Sequence, residues 1–381
     1  MQLTEFTFEG LRRRPDIEAP NLFASDASDR LILDEASSAL AGADGRRVVV
    51  MGDRYGALTL GSAFGHGLSG IRVHQDVLTG ELALAENADA VGLSDVYESL
   101  PLGESLLTDA GVVLLQLPRS LAELDEIADA IARYAADDVV VYAGGRVKHL
   151  SLAMNEVLRR YFGRVSATHA RQKSRVLVAT DRVLPTDALP YPKLTANAEL
   201  GLTIAAHGGA FSGTALDIGT RFLLTFLDRI DPAARTAIDL GCGTGILAAA
   251  LAASRPELTV IATDQSAAAV ESARATMVAN KLSDRVTVLR DNGLSRQPDG
   301  SADVIVCNPP FHVGSSVHTG VALSLFRDAA RVLRPGGQLF TVFNSHLAYQ
   351  PELRRLVGST QVLGQNQKFT VTVSTKAERR D

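Results

Sequence analysis

Cysteine, tryptophan and long apolar runs are scarce or absent in this chain of 381 residues. There is no tryptophan, and the two cysteines, Cys242 and Cys307, lie in apolar or glycine-rich contexts, so a disulfide framework is not expected. No apolar run reaches the roughly 18–20 residues of a membrane-spanning helix, and the first residues lack the features of a signal peptide. We therefore expect a protein of the reducing cytoplasm with no membrane partner.

An excess of positive charge is also lacking. The formal net charge is −5, which by itself does not indicate binding to nucleic acid. The distribution is uneven, because nine Lys or Arg residues between Arg146 and Arg182 are opposed only by Glu156 and Asp181. This basic segment either docks a phosphate backbone or forms a solvated face, and charge alone does not choose between the two.

The second half of the chain alternates β-prone runs with helical segments, which predicts a parallel sheet with helices on both faces. A closing pair of strands predicts an antiparallel hairpin at the end of that sheet. Strands are expected at 236–240, 259–264, 286–289, 303–307, 338–343, 360–363 and 368–373. Helices are expected at 246–253, 266–280, 321–333 and 352–356.

The first half repeats this order of elements more weakly, with glycine turns at Gly52–Gly56 and Gly241–Gly245 that lie about 190 residues apart. We infer a duplicated domain, joined in the proline-bearing stretch from Leu184 to Lys193. The predicted domains are residues 1–185 and 186–381. Strands of the first copy are expected at 47–51, 71–74, 112–117 and 139–142, with a final pair near 165 and at 175–178.

The run Asp239–Gly245 connects a strand to a helix and has the composition of a ligand-binding turn. Its glycines let the backbone turn tightly against a ligand at the helix N-terminus. Asp264 ends the next strand, where a carboxylate can accept both hydroxyls of a ribose. Residues 243–248 also satisfy the G-x-G-x-x-A dinucleotide fingerprint. The loop therefore fits S-adenosylmethionine or a nicotinamide dinucleotide, and a purely structural turn remains a third interpretation.

The tetrapeptide Asn308-Pro309-Pro310-Phe311 follows the fourth strand, at the carboxyl edge where such sheets bind ligands. An amino group conjugated to a ring is a poor nucleophile. The Asn308 side-chain oxygen and the Pro309 carbonyl can orient it by accepting its two N–H groups. Prolines keep the loop stiff, and Phe311 can stack on a flat base. A dehydrogenase has no use for this motif, so it favours methyl transfer to a planar nitrogen over an ordinary proline-rich turn.

The glycine run and Asn308–Phe311 together resemble the class I amino-methyltransferases, and within them the small-domain guanine-N2 methyltransferases of ribosomal RNA. Residues 210–220, 344–349 and 364–369 are similar to further segments of that family. Upstream, residues 25–29 and 53–58 look like the N-terminal domain of its large-subunit (23S) members. The resemblance covers nearly the whole chain. It implies an α/β fold of two tandem Rossmann-like, seven-stranded, doubly wound domains.

The same resemblance implies which residues hold S-adenosylmethionine. Asp239, Gly241 and Gly243 would line the methionine part, Asp264 the ribose, and Asp291 the adenine amino group, although Asp291 could equally be a loop carboxylate. The acceptor base would be held by Asn308, Pro309, Pro310 and Phe311. No metal is expected, and His312 is interpreted as a solvated loop histidine. The expected cofactor set is Phe211, Thr220, Asp239, Gly241, Cys242, Gly243, Thr244, Gly245, Asp264, Gln265, Asp291 and Asn292.

The first half departs from the family's catalytic pattern. Gly52–Gly56 lacks the alternating glycines, so Arg54 and Tyr55 would crowd a cofactor. Gln116–Arg119 stands where the Asn-Pro-Pro-Phe motif would be. We therefore predict that residues 1–185 bind no S-adenosylmethionine and instead hold RNA, partly through the basic segment, whereas residues 186–381 are catalytic.

These observations favour methylation of the exocyclic N2 of a guanine in 23S ribosomal RNA, with 16S ribosomal RNA second. The rival methyl acceptors are adenine N6 and a protein glutamine. The rivals from other classes are an NAD-dependent oxidoreductase and a catalytically silent RNA-binding or assembly factor. We expect a monomer, because the duplication supplies a second domain within the chain. Naked RNA and an assembling subunit both remain open as the substrate.

Overall fold

The computed structural model describes residues 6–310 and 316–377. The chain divides into two compact units, Met1–Tyr191 and Pro192–Asp381. Within the described ranges, no helix is both long and apolar enough to cross a membrane.

The first unit is built around a mixed sheet with its parallel strands in the middle. The spatial order is β3-β2-β1-β4-β5-β7-β6, and only the pairings of β7 with β5 and β6 are antiparallel. The strands are β1 (Val48–Met51), β2 (Ile71–His74), β3 (Tyr97–Ser99), β4 (Val112–Gln116), β5 (Val140–Arg146), β6 (Phe162–Ala167) and β7 (Ser174–Arg182).

Helices cover both faces of this sheet, which explains why its central strand is apolar throughout. Val48 and Val50 pack into one hydrophobic cluster, and Val49 and Met51 pack into the other. The helices are α1 (Ala27–Leu40), α2 (Ala57–His66), α3 (Leu78–Val91), α4 (Glu104–Leu107), α5 (Leu121–Tyr134) and α6 (Leu152–Arg159).

The second unit opens with a two-stranded hairpin and continues with its own large sheet. The hairpin strands are β8 (Lys193–Asn197) and β9 (Leu202–Ala206). The sheet strands are β10 (Thr236–Leu240), β11 (Thr259–Asp264), β12 (Val286–Arg290), β13 (Ala302–Cys307), β14 (Leu333–Asn344), β15 (Gly358–Gln365) and β16 (Phe369–Lys376). The helices are α7 (Ile218–Leu224), α8 (Ile246–Ser254), α9 (Ala267–Ala279), α10 (Ser316–Val332) and α11 (Gln350–Leu356).

The second sheet repeats the first strand for strand. Its spatial order is β12-β11-β10-β13-β14-β16-β15, and β16 is again the antiparallel strand inserted before the edge. The predicted fold class, two tandem seven-stranded doubly wound α/β domains, is confirmed. Because β10, β11, β12 and β13 are parallel neighbours, the turns that follow them meet at one edge of the sheet, where sheets of this type bind their ligands.

The hairpin β8–β9 and the short strand β3 were not predicted. Strand β9 is held by side chains of α9, because the backbone N–H groups of Thr203, Ala205 and His207 donate to Asn280, Thr276 and Ser272 at 2.9, 3.0 and 2.9 Å. These three acceptors are four residues apart and therefore share one face of the helix. The segment 334–337, predicted as a stop after the preceding helix, lies inside β14, and α10 ends at Val332.

Candidate active site

The turn between β10 and α8 has a backbone that only glycine adopts readily. Gly241, Gly243 and Gly245 have φ values of 75°, 53° and 79°, in the left-handed region. A Cβ at Gly241 or Gly243 would meet no atom within 4 Å, whereas one at Gly245 would lie 3.0 Å from Ala273 Cβ. The first two glycines therefore leave open space beside the turn, and the third lets α8 pack closely on α9.

Asp239 presents a buried carboxylate to this turn. Its Oδ2 accepts a hydrogen bond from the Ala248 backbone N–H at 2.9 Å. Its Oδ1 has no partner among the described residues. Burial raises the pKa of Asp239 to about 7, and the nearby Asp264 adds to the rise. An unpartnered buried carboxylate oxygen is the acceptor that the ammonium group of a bound methionine moiety requires.

Asp264 is fixed by the turn on one side and the start of α9 on the other. Its Oδ2 accepts from the Gly243 N–H and its Oδ1 from the Ser266 N–H, each at 3.0 Å. The residue is half-buried, and a carboxylate oxygen can accept more than one hydrogen bond. A contact of this carboxylate with the hydroxyls of a ribose stays a prediction. Gln265 follows it, half-buried, with its carbonyl accepting from Arg290 Nε at 3.3 Å.

Asp291 is buried after β12 and its carboxylate is used within its own loop. One oxygen accepts from the Ser295 hydroxyl and the other from the Arg296 N–H at 3.0 Å. Its backbone N–H donates to the Asp264 carbonyl at 3.0 Å, which ties the loop to β11. The side chain therefore shapes the loop around half-buried Asn292, and a contact of either residue with adenine stays a prediction.

Asn308 directly follows β13 and its side-chain amide is fixed in one direction. The Nδ2 group donates to Asp217 Oδ2 at 3.0 Å and to Thr220 Oγ1 at 2.9 Å. The amide oxygen Oδ1 is buried and has no partner among the described residues. Because both amide hydrogens are engaged by α7, the oxygen is left as an acceptor. Pro309 is buried and Pro310 exposed; Phe311 and His312 lie outside the described residues.

The first turn of α7 supplies the partners of Asn308. Asp217 caps this helix by accepting from the Thr220 N–H at 3.0 Å, so the same oxygen receives both the helix backbone and the Asn308 amide. A Cβ at Gly219 would lie 3.0 Å from that oxygen and 3.5 Å from Asn308 Oδ1. Asp217 was absent from the predicted site residues, although its place before an apolar helix is a capping signal.

Of two other predicted cofactor residues, Thr220 contacts Asn308 and Phe211 is exposed to solvent. Thr220, expected near the cofactor, has its hydroxyl on Asn308. Phe211 exposes 58% of its surface, as a ring must if it is to cover a ligand that enters from solvent. A contact of either with the cofactor remains a prediction.

The two cysteines are buried in a way that disfavours the thiolate. Both Cys242 and Cys307 are buried and free, and burial raises the pKa of each thiol well above its usual value. Buried thiols of this kind remain protonated and inert. Thr244 is also buried within the turn. In the described part of the chain, no group of three or more His, Cys, Asp or Glu residues is placed to hold a metal ion.

The first unit carries different side chains at the corresponding edge of its sheet. Met51 pairs with His74 as Leu240 pairs with Thr263, so the next residue, Gln75, stands in the position of Asp264. Gln116 follows Leu115 as Asn308 follows Cys307, so the two residues occupy corresponding positions. The Gln116 Nε2 group donates to Ser28 and Asp29 at the start of α1. Unlike the Asn308 oxygen, the Gln116 Oε1 is itself engaged, by the Ser28 hydroxyl at 3.4 Å.

The same edge of the first unit carries a group of cations, which we call the basic edge cluster: Arg54, Arg119, Arg146 and Lys148. Arg54 follows β1, Arg119 follows β4 and Arg146 ends β5, which are neighbours in the sheet. Within the described ranges, none of the four forms an ion pair. Desolvation and the charges of these same residues lower the pKa of His149, so the cluster has a common positive field.

The basic segment recognised in the sequence does not form one free surface. Arg160, Arg164, Arg171 and Arg182 have carboxylate partners in Asp125, Asp181, Glu35 and Asp137 respectively. Only part of the segment joins the basic edge cluster, and Arg54 and Arg119 join it from distant parts of the sequence. Cations that are close together in the sequence are thus divided in the folded protein between ion pairs and the basic edge cluster.

Two family models match the chain, one in each half. The RLMG N-terminal domain matches residues 1–183, and the Methyltransferase small domain matches residues 201–373. The chain is 35% identical over 379 residues to the Ribosomal RNA large subunit methyltransferase G of Streptomyces avermitilis, with 96% of each chain covered. It is 35% identical over 372 residues to the protein of that name from Pseudomonas aeruginosa, with 97% of each covered.

A solved structure has the same fold over the full length. It is the 16S rRNA N2 methyltransferase of T. thermophilus in complex with AdoMet and guanosine, with a TM-score of 0.72 and 24% sequence identity. The similarity covers 97% of this chain and 100% of that one.

Proposed function

The chain belongs to the ribosomal RNA large subunit methyltransferase G family, and from that premise we propose that it transfers a methyl group from S-adenosylmethionine to the exocyclic N2 of a guanine in 23S ribosomal RNA. This proposal rests mainly on the hydrogen bonding of the Asn308 side-chain amide. Its amide hydrogens are held by Asp217 and Thr220, and its buried oxygen has no partner among residues 6–310 and 316–377. That oxygen is an acceptor suited to an amino group.

The chain's own residues act on the amine. S-adenosylmethionine, when bound, supplies an electrophilic sulfonium methyl group. The Asn308 oxygen and the Pro309 carbonyl accept the two N–H groups of the guanine amine and direct its lone pair toward that methyl. Since α7 fixes the Asn308 amide in advance, the alignment costs little reorganisation when the base arrives. The methylated amine is acidic and loses its extra proton to water, so the site needs no general base.

Residues at the carboxyl ends of β10 and β11 fit the cofactor. Asp239 offers its unpartnered Oδ1 to the ammonium of the methionine part. Gly241 and Gly243 leave open space beside the turn, and Asp264 offers its fixed carboxylate to the ribose. We retain Phe211, Cys242, Thr244, Gln265, Asp291 and Asn292 as residues that line the cofactor.

We also propose that the first unit is not catalytic and holds the RNA. Gln75 and Gln116 stand where the second unit has Asp264 and Asn308, and the basic edge cluster supplies cations that form no ion pair within the described part of the chain and can meet phosphates. A ribosomal RNA substrate supports a location in the cytoplasm. A second domain within the chain favours action as a monomer, on naked RNA or on an assembling subunit.

Transfer of tritium from labelled S-adenosylmethionine to purified ribosomal RNA tests the reaction. We expect label in N2-methylguanine of 23S RNA with the wild-type protein and none with Asn308→Ala. Label in 16S RNA, in N6-methyladenine or in protein would replace the proposed substrate with one of the rivals. Absence of transfer together with binding of NADH would exclude a methyltransferase.

A further inference from the structure

A second asparagine, Asn344, ends β14 on the same face of the sheet as Asn308. Val306 and Asn308 share one face because side chains alternate along a strand, and Val306 belongs to the hydrophobic cluster on that face. Val342 belongs to the same cluster, so Asn344, two residues later, points to the same side. Strands β13 and β14 are parallel neighbours. The two asparagine Cα atoms are therefore separated by about 8 Å, from a strand spacing of about 4.8 Å and a two-residue offset.

Phe369 and Gly219 lie close to both Asn308 and Asn344. Asn344 pairs directly with Phe369 of β16. A Cβ built on Gly219 would lie 3.3 Å from Phe369 Cε1 and 3.5 Å from Asn308 Oδ1. The missing side chain of Gly219 thus leaves room at the point where the Asn308 oxygen, Phe369 and the end of β14 come together.

The oxygen of Asn344 is in the same chemical state as that of Asn308. Asn344 Oδ1 is buried, and it has no hydrogen-bond partner among the described residues. An unsatisfied buried acceptor costs roughly 1–3 kcal/mol, so such a group calls for an explanation, and a ligand that donates to it is one. Two unpartnered amide oxygens on one face of the sheet form a paired acceptor, which matches a ligand edge with two adjacent donors.

We propose that Asn344 selects guanine by accepting a hydrogen bond from the base's N1–H while Asn308 holds the N2 amine; this inference rests on the proposed function. On guanine, N1–H and the N2 amine are adjacent donors on one edge. Adenine has an unprotonated N1 beside its amine, so its lone pair would face the Asn344 oxygen. A site built to receive a hydrogen bond rejects an analogue that lacks the donor strongly, because its own buried group is then unpaired.

The test uses 2-aminopurine, which keeps the N2 amine but has no proton on N1. RNA with guanine or 2-aminopurine at the target position is methylated by the wild-type protein and by Asn344→Leu, which is similar in size and has no acceptor. We expect the wild type to prefer guanine by about 10- to 100-fold in kcat/KM. Asn344→Leu should lower kcat/KM for guanine and should not lower the 2-aminopurine value, because the unfavourable contact between the N1 lone pair and the Asn344 oxygen is removed together with the oxygen.

Asn344→Asp is the matched control, because it keeps an acceptor oxygen at this position and should keep the preference for guanine. A similar fall of Asn344→Leu on both substrates would overturn the inference and show that Asn344 only supports the fold. A wild-type preference for neither base would also overturn it. Failure of the wild type to methylate guanine RNA at all would instead reject the proposed function.

Discussion

At the scale of single residues, the direction of one side-chain amide decides whether the site can act on an amine. Asn308 could turn either its oxygen or its nitrogen toward the base. Asp217 and Thr220 accept from the nitrogen and so leave the oxygen for the substrate. Thr220 is therefore a positioning residue for Asn308, in addition to the cofactor role that the family resemblance implies.

Removal of the Thr220 hydroxyl should loosen this amide. We expect Thr220→Val to lower kcat by about 5- to 30-fold, equivalent to the one or two kcal/mol of a hydrogen bond, with the Kd for S-adenosylmethionine unchanged. Thr220→Ser retains the hydroxyl and should recover most of the rate. Single-turnover kinetics and calorimetry measure the two quantities. A weaker Kd with an unchanged kcat would assign Thr220 to the cofactor alone.

Asp239 should make cofactor binding depend on pH. Its raised pKa of about 7 means that the carboxyl gains a proton as the pH falls through neutrality and then no longer attracts an ammonium. We expect the Kd for S-adenosylmethionine to increase between about pH 8 and pH 6. Asp239→Asn should bind about 10- to 100-fold more weakly and lose this pH dependence. An equal pH dependence in both proteins, measured by calorimetry, would contradict the assignment.

The ionised Asp239 carboxylate favours cofactor binding but lowers the free energy of unfolding. A group whose pKa is raised by folding stabilises the protein below its unfolded pKa, and this contribution is lost as the pH rises through the folded pKa. The ionised Asp239 therefore destabilises the cofactor-free protein above about pH 7. Asp239→Asn is accordingly expected to have a higher Tm than the wild type at pH 8, even though it binds the cofactor poorly.

At the scale of elements, the strands of the second half could be predicted closely, because buried parallel strands have distinctive apolar runs. The strand predicted at 259–264 is β11 as observed, and Ser266 caps α9 as expected. The hairpin β8–β9 could not be predicted from its own residues. Its edge is completed by side chains of a helix far along the chain, and such pairing leaves no local pattern.

The hairpin should depend on Thr276 of α9. Its hydroxyl accepts from the Ala205 N–H at 3.0 Å in a fully buried position. Thr276→Val leaves that N–H unpaired and should cost about 1–3 kcal/mol, which lowers Tm by roughly 2–10 °C for a domain of this size. Thr276→Ser retains the hydroxyl and should therefore have a Tm close to that of the wild type. Thermal unfolding by circular dichroism is the measurement, and a Tm for Thr276→Val equal to that of the wild type would exclude the role.

At the scale of the whole molecule, the duplication could be predicted from the repeated glycine turns. The absence of catalysis in the first copy stays a prediction. The charge distribution could not be predicted. The sequence concentrates cations between Arg146 and Arg182, but folding pairs several of them with carboxylates. It gathers others, among them Arg54 and Arg119, at the sheet edge that corresponds to the candidate site of the second unit.

Neutralising the basic edge cluster should weaken RNA binding and make the affinity depend less on the salt concentration. For the triple variant Arg54→Gln, Arg119→Gln and Arg146→Gln, we expect the slope of log K against log salt to fall in magnitude by about 2–3, since each lost phosphate contact removes about 0.7–0.9. The matched control removes three paired cations, Arg160→Gln, Arg164→Gln and Arg171→Gln. Fluorescence anisotropy with a 23S RNA fragment measures both, and equal slopes for the two triple variants would reject the cluster as the docking surface.

The proposed mechanism requires the Asn308 oxygen to direct methylation to the N2 of a guanine in large-subunit RNA. It can be tested by mass mapping of ribosomal RNA nucleosides from cells that contain either the wild-type protein or Asn308→Ala as the sole copy. We expect one N2-methylguanine in 23S RNA with the wild type and an unmodified guanine at that position with Asn308→Ala. Persistence of the modification in the Asn308→Ala cells, or a loss confined to 16S RNA or to another base, would contradict it.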